Sequence, residues 1–198
     1  MGNQLTKLQT GSTTYTFAYG NFGLRSSIKI GTRTLASYSY TSRTNYLNKL
    51  TYGNADFVQY TYDTQGRVTK QTFEDGDTVT YKYDNNGALA TVTDSATGRT
   101  TSYYYDFTDR LMRYEESASS YSHSVEYGYD TENLLTKLEE IVNGATRTLT
   151  YSYDNDNRVS SSTDNLKLNG TTHSVMRTYA YDSYGRLSQV VGYLKGAQ

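Results

Sequence analysis

The chain has 198 residues, a formal net charge of -1, 23 Tyr, and no Cys, Pro or Trp. Disulfides and thiolate metal sites are thereby excluded, no apolar run reaches the length of a membrane-spanning helix, and scattered, balanced charges leave no basic patch for nucleic acid. Only 34 residues are Leu, Ile, Val or Phe, but disorder on that ground needs high net charge as well. Tyr rings bury area while keeping a hydroxyl hydrogen-bonded, so the composition reads as an ordered all-β chain.

The opening "MGNQLTKLQTG" lacks the apolar core of a signal peptide, and Met1-Gly2 has the look of an engineered start. From there one phrase recurs, clearest as "YTYDTQGRVTKQ" at 60–71. Anchored on its second Tyr, copies fall at Tyr19, Tyr40, Tyr62, Tyr83, Tyr105, Tyr129, Tyr153 and Tyr181, spaced 21, 22, 21, 22, 24, 24 and 28 residues apart. Eight copies at a drifting interval describe one supersecondary unit repeated, with variable loops expected to absorb the drift. The whole of 1–198 is read as a single repeat domain.

After each anchor comes a turn. Asp63 to Gly66, Asp84 to Gly87 and Asp182 to Gly185 place Asp first and Gly fourth, the preference of a type I turn. The Asp carboxylate is positioned to accept backbone N–H groups two residues on. Where Gly is missing, Asp109, Asn133 and Asn157 stand in the fourth place, and these types best tolerate positive φ. Such exchange follows a backbone requirement; a shared chemical role would not survive it. Two early copies depart: "YGNFGLR" (19–25) has Gly for Asp, and "YTSRTNYL" (40–47) reads as having lost the turn. A second turn lies half a repeat away, at "EDGD" (74–77), "SATG" (95–98), "SASS" (117–120), "VNGA" (142–145) and the longer "DNLKLNGTTH" (164–173).

Strands of about seven residues join the turns. Val58, Tyr60 and Tyr62 share one face by the two-residue period. The stripe recurs in Val79-Tyr81-Tyr83, Val125-Tyr127-Tyr129 and Leu149-Tyr151-Tyr153. On the return strand Val68, Leu89, Leu111, Leu135, Val159 and Leu187 hold a fixed offset. A further apolar position three residues later (Val92, Tyr114, Leu138, Val190) falls on the opposite face, which a bulge or two-sided burial would explain. "TENLLTKLEEIV" (131–142) is the one segment with helix character, and its place in the repeat makes it a strand. Roughly sixteen antiparallel strands result, about 80 Å of ribbon at ~4.8 Å each, so a wide curved sheet is expected.

"YDTQGRV" (62–68) and "YDSYGRL" (181–187) resemble the YD repeat of the Rhs family, and the resemblance runs from about Tyr15 to Val191. It implies a YD-repeat β-hairpin spiral, a hollow shell in long members, and relatives among bacterial polymorphic toxins, toxin-complex components, wall-associated proteins and teneurins. The Asp-Pro self-cleavage motif of many shells is absent from this Pro-free chain. Eight repeats look too few to close a shell, so a piece of a larger protein or a short open member is expected.

Chemical sites fare poorly beside structural readings. "DNDNRV" (154–159) hints at a calcium loop, but Arg158 sits in the fifth position and no Glu completes the pattern. His123 and His173 lie beside variable loops without a second ligand at metal spacing. Asn169-Gly170-Thr171 is a glycosylation sequon and, more simply, a turn. The expectation is a non-enzymatic module with no catalytic, cofactor-binding or metal residue. It would belong to a secreted or surface bacterial protein, with polypeptide cargo or adjoining repeats as partners. A carbohydrate-binding or adhesion module using exposed Tyr is the alternative. Neither nucleic acid nor membrane insertion is expected, and unpaired sheet ends predict edge-to-edge self-association.

Overall fold

In the computed structural model residues 4–195 are described, and Met1 and Gly2 lie outside them. Two compact units are formed, one from residues 1–82 with 92–96 and one from residues 83–91 with 97–198. The first contains β1 (Lys7–Thr10), β2 (Thr13–Tyr19), β3 (Arg25–Ile30), β4 (Arg33–Tyr40), β5 (Leu47–Tyr52), β6 (Phe57–Tyr62), β7 (Val68–Phe73) and most of β8 (Thr78–Tyr83). β9 (Leu89–Asp94) contributes residues to both. The second contains β10 (Arg99–Tyr105), β11 (Leu111–Ala118), β12 (Tyr121–Tyr129), β13 (Leu135–Val142), β14 (Ala145–Tyr153), β15 (Val159–Leu168), β16 (Thr171–Tyr181) and β17 (Leu187–Lys195). Among the described residues the rest of the regular structure is one 3-10 turn, Asn21–Gly23.

Within each unit successive strands pair antiparallel, β1 through β8 and β10 through β17. Even-numbered strands end on an anchor Tyr; odd-numbered strands from β3 onward return from its turn. The all-β hairpin repeat read from the sequence is what the chain forms, with seventeen described strands, and 135–142 is strand as expected.

The two apolar positions of the return strand are reconciled by a bulge. Thr61 pairs with Lys70, but the next residue, Tyr62, pairs with Val68, leaving Thr69 unopposed. The same one-residue shift precedes Tyr19, Tyr40, Tyr105, Tyr129, Tyr153 and Tyr181. One extra residue turns a three-residue spacing into a same-face spacing. Leu135 therefore faces Tyr129, and Leu138 faces Tyr127, on one side of the sheet.

Two expectations need correction. The lengthening of later repeats is taken up by strands rather than loops: β10 has 7 residues, β12 and β14 have 9, and β16 has 11. "DNLKLNGTTH" is mostly strand, broken by a two-residue turn at Asn169 (φ 48) and Gly170 (φ 83). Positive φ at both centres gives the twist that matches right-handed strands, as at Asn143 (φ 47) and Gly144 (φ 86). The turn in 40–47 is also not lost. It carries one more residue: Thr41 N–H donates to the Tyr46 carbonyl (2.9 Å), and Asn45 (φ 59) N–H donates to the Thr41 carbonyl (3.2 Å). The Thr41 hydroxyl accepts the Tyr46 N–H at 3.0 Å, the part Asp plays elsewhere. The inserted residue and the Thr-for-Asp exchange hid it.

The core is minimal. Among the described residues only Ala36, Val125 and Ser162 are buried, at 7–8% exposure. A sheet one layer thick in each unit has no second layer to bury its face.

Candidate functional site

The repeated motif is a fastening, assembled from three side chains. Asp comes first. In the turns at Asp63, Asp84, Asp106, Asp130, Asp154 and Asp182, one carboxylate oxygen accepts backbone N–H groups two and four residues on, at 2.8–3.1 Å. The fourth residue carries positive φ in each, whether Gly66 (84), Gly87 (93) and Gly185 (77) or Asp109 (62), Asn133 (68) and Asn157 (61). The interchange of Gly with Asp and Asn therefore marks a backbone angle.

Arg follows the positive-φ residue. Arg67, Arg110, Arg158 and Arg186 each donate Nε–H to the second oxygen of their own turn Asp, at 2.7–2.8 Å. The carboxylates respond. Arg158, through guanidinium and N–H, lowers Asp154 below the ordinary Asp value, and Arg186 does the same for Asp182. At Asp106 the Thr108 hydroxyl is the main cause of lowering, with Arg110 adding to it against burial. Burial acts upward on Asp63, but the Arg67 N–H and guanidinium outweigh it. All four carboxylates stay ionised at neutral pH.

The Arg head then reaches the following repeat. Arg110 lies over the ring of Tyr129, and Arg158 over that of Tyr181, each at 4.7 Å from the centroid. Arg110 also donates to the Asn133 side-chain oxygen at 2.5 Å. In the long second turn Tyr46 occupies the Arg place and meets the next anchor, Tyr62, ring to ring at 5.0 Å. The next anchor ring is thus met by an Arg head in two repeats and by a Tyr ring in a third.

Tyr closes the fastening in the other direction. Tyr19, Tyr40 and Tyr62 donate their hydroxyls to the carbonyls of Leu5, Arg25 and Leu47 at 2.7–2.8 Å. Tyr105, Tyr129, Tyr153 and Tyr181 donate to Leu89, Leu111, Leu135 and Val159 at 2.6–3.1 Å. Each acceptor from Leu47 onward is the first apolar position of the preceding return strand; Arg25 holds that place once, and Leu5 lies just before β1. These backward bonds were not visible in the sequence reading, which placed the anchors on a packed face and went no further.

The stripe tyrosines are accordingly half-buried, and the exposed tyrosines are others: Tyr52, Tyr104, Tyr184 and Tyr193 among them. Sugar stacking on the stripe itself is disfavoured by this placement.

A second constellation crosses β10 to β15 of the second unit. Arg99 pairs with Glu116 (3.0 Å), His123 with Glu140 (3.0 Å), and Arg147 with Asp164 through two bonds (2.9 and 2.7 Å). Register puts these side chains on the anchor face along a diagonal, since Glu116 opposes His123 in one cross-strand rank, Glu140 opposes Arg147 in the next, and Asp164 opposes Leu149 in a third. Opposite charges facing across strands stabilise a sheet. Tyr114 donates to Glu116 in a short bond beside this diagonal. The carboxylate and burial push the phenol up to about 12. His173 is exposed, on β16. The suspected calcium loop holds its own cation: Arg158 bridges Asp154 and Asp156 at 2.7 and 2.8 Å. Among the described residues no three His, Asp or Glu converge for a metal.

The geometry defines a β-hairpin repeat protein whose successive units are fastened by Tyr, Asp and Arg. Residues 62–98 match the family RHS Repeat. None of the curated proteins matches. Among solved structures, the crystal structure of TcdB2-TccC3-Cdc42 is similar, with TM-score 0.71 and 14% identity, covering 96% of this chain and 12% of that one. A Photorhabdus luminescens Tc holotoxin pore carrying a TccC3 mutation aligns with TM-score 0.58 and 11% identity over 92% of this chain and 14% of that one. The crystal structure of TcdB2-TccC3-TEV gives TM-score 0.56 and 11% identity, with the same coverages. The chain thus spans 12–14% of the length of these three chains. It carries an RHS repeat at 62–98 and shares its fold with those chains.

Proposed function

We propose that the chain is a non-enzymatic wall module of an Rhs-type shell in a secreted or surface bacterial protein, enclosing or displaying a polypeptide. The carrying observation is that the motif residues are spent on structure. Anchor hydroxyls bind carbonyls, turn carboxylates bind backbone N–H groups and Arg, and the guanidiniums of Arg110 and Arg158 cover the next ring. A wall built this way acts by steric exclusion and by the charge of its faces. The likeness in fold to chains of Tc toxin structures supports the reading.

The test is limited proteolysis of the longest natural protein that carries these repeats. A segment outside the repeats should resist protease while the sheet is native and become sensitive at the denaturant concentration that unfolds it. Equal sensitivity throughout would refute enclosure. A glycan array serves the adhesion alternative: saturable binding lost on Tyr52→Ala with Tyr104→Ala, in a chain of unchanged circular dichroism, would favour it.

A further inference from the structure

We propose that the sheet face opposite the anchors in the first unit is a docking surface for an acidic, extended polypeptide. The inference stands whether or not the chain encloses anything.

Lysines far apart in the sequence are gathered on that face by register. Lys7 and Lys29 both oppose Thr16, one from each side. Lys49 lies between Ser39 and Gln59, and Lys70 between Thr61 and Thr80. Thr61 precedes the anchor Tyr62 and so faces the other way, as does Lys82 before Tyr83. These five are all the Lys of residues 1–82. The eight strands that carry them contain no Asp or Glu, and Arg25 and Arg33 oppose Tyr19 and Ile30 on the anchor face.

Among the described residues no carboxylate pairs with any of the five ammonium groups. In the second unit, by contrast, Arg113 and Lys137 also face away from the anchors, and they meet Glu115 at 3.3 Å and Glu139 at 2.9 Å. A face of one sign repels itself and attracts the opposite charge. Lys at a sheet edge guards against stray pairing, but β5 and β7 are flanked on both sides. Lys49 and Lys70 therefore guard no edge.

The chemistry of the face selects the occupant. Every cation on it is Lys, a point charge without the planar fork that grips phosphate in two bonds. Its aromatic residue, Phe57, is already covered by the Lys49 ammonium, 3.4 Å from the centroid, so a base or sugar ring finds no free platform there. Slender, separate carboxylates on a flexible chain fit it better. Lys7 and Lys29 stand two strand spacings apart, about 10 Å, which is the length of three extended residues. Thr16 between them offers a hydroxyl to the arriving backbone.

The test uses the 198-residue chain and a fluorescein-labelled peptide of six Glu-Ser-Gly repeats, read by anisotropy at low ionic strength. Binding should saturate, be missing for the matching Lys-Ser-Gly peptide, and fade as salt screens it. Lys29→Gln, Lys49→Gln and Lys70→Gln together should weaken it at least about tenfold, the sum of three exposed ion pairs. Arg113→Gln, Lys137→Gln and Lys167→Gln remove the same charge from the second unit and should change it less than about twofold. Circular dichroism checks that both variants keep the sheet. Carbodiimide coupling of the peptide to the unaltered chain needs no variant, and should mark Lys29, Lys49, Lys70 or Lys82 ahead of Lys137 and Lys167. Equal loss in the two variants, coupling without preference, or no binding of the acidic peptide would overturn the surface. Tighter binding of polygalacturonate or single-stranded DNA at equal charge would overturn the occupant.

Discussion

The guanidinium of Arg158 holds Asp154 in its own turn at 2.8 Å and covers the ring of Tyr181 in the next repeat at 4.7 Å. One side chain thereby couples a turn to the anchor 23 residues beyond it. Lys in its place would keep the charge but lose the planar fork and the stacking. Arg158→Lys should destabilise the chain, and a double-mutant cycle with Tyr181→Leu should yield a coupling of roughly 0.5–1 kcal/mol. Urea unfolding of the four proteins measures it, and a coupling near zero would detach the ring from the fastening.

The anchor hydroxyls are tested one at a time. Tyr153→Phe removes the 2.6 Å bond to the Leu135 carbonyl while keeping the ring, and should cost about 1 kcal/mol. Tyr184→Phe alters an exposed turn residue (82% accessible) and should leave the unfolding midpoint where it is. Equal effects would mean that the backward bonds contribute nothing.

Two glycines with similar backbones separate angle from space. Gly66 (φ 84) and Gly76 (φ 93) both require the left-handed region, so either replaced by Ala should lose about 1–2 kcal/mol. A methyl at Gly66 would also strike the Tyr46 ring, whereas one at Gly76 meets nothing within 4 Å. Gly66→Ala should therefore be the more damaging, and Gly66→Ala with Tyr46→Ala should recover the difference. Asn157→Gly should be neutral or stabilising and Asn157→Val harmful, because only the second conflicts with φ 61.

Stability should fall at both extremes of pH. Asp63, Asp106, Asp154 and Asp182 are held below their ordinary value in the folded chain. The unfolded chain therefore binds protons first on acidification. Their contribution is complete above pH ~4 and is lost as pH drops through the folded values. Burial raises Tyr62, Tyr105 and Tyr153, and Tyr114 stands at about 12. Here the unfolded chain releases protons first, so that stabilisation is complete below pH ~10 and is lost as pH climbs toward the folded values. Tyrosinate absorbance and circular dichroism, followed together, should change in step on the alkaline side. Tyrosine ionisation completed well before unfolding would contradict the half-buried, hydrogen-bonded anchors.

What could be read in advance was what neighbouring residues decide among themselves. Asp63 and Gly66 are three residues apart, and Asn133 or Asn157 in place of Gly announces its φ without tertiary information. The bond from Tyr62 to Leu47 depends instead on the alignment of two strands, and nothing near Tyr62 in the sequence names its acceptor. The return-strand bulge was one of two readings until Thr69 proved to be unopposed. The diagonal of ion pairs from Arg99 to Asp164 stayed hidden because its spacing follows hairpin lengths, which differ from repeat to repeat.

The near absence of buried side chains has a calorimetric consequence. The heat-capacity increment of unfolding comes mainly from apolar surface newly wetted, and among the described residues only Ala36 and Val125 of the apolar ones are buried. The increment per residue should fall below the usual ~12–15 cal/mol/K. The stability curve would then be shallow, and cold would weaken this wall less than it weakens a protein held by an oily interior.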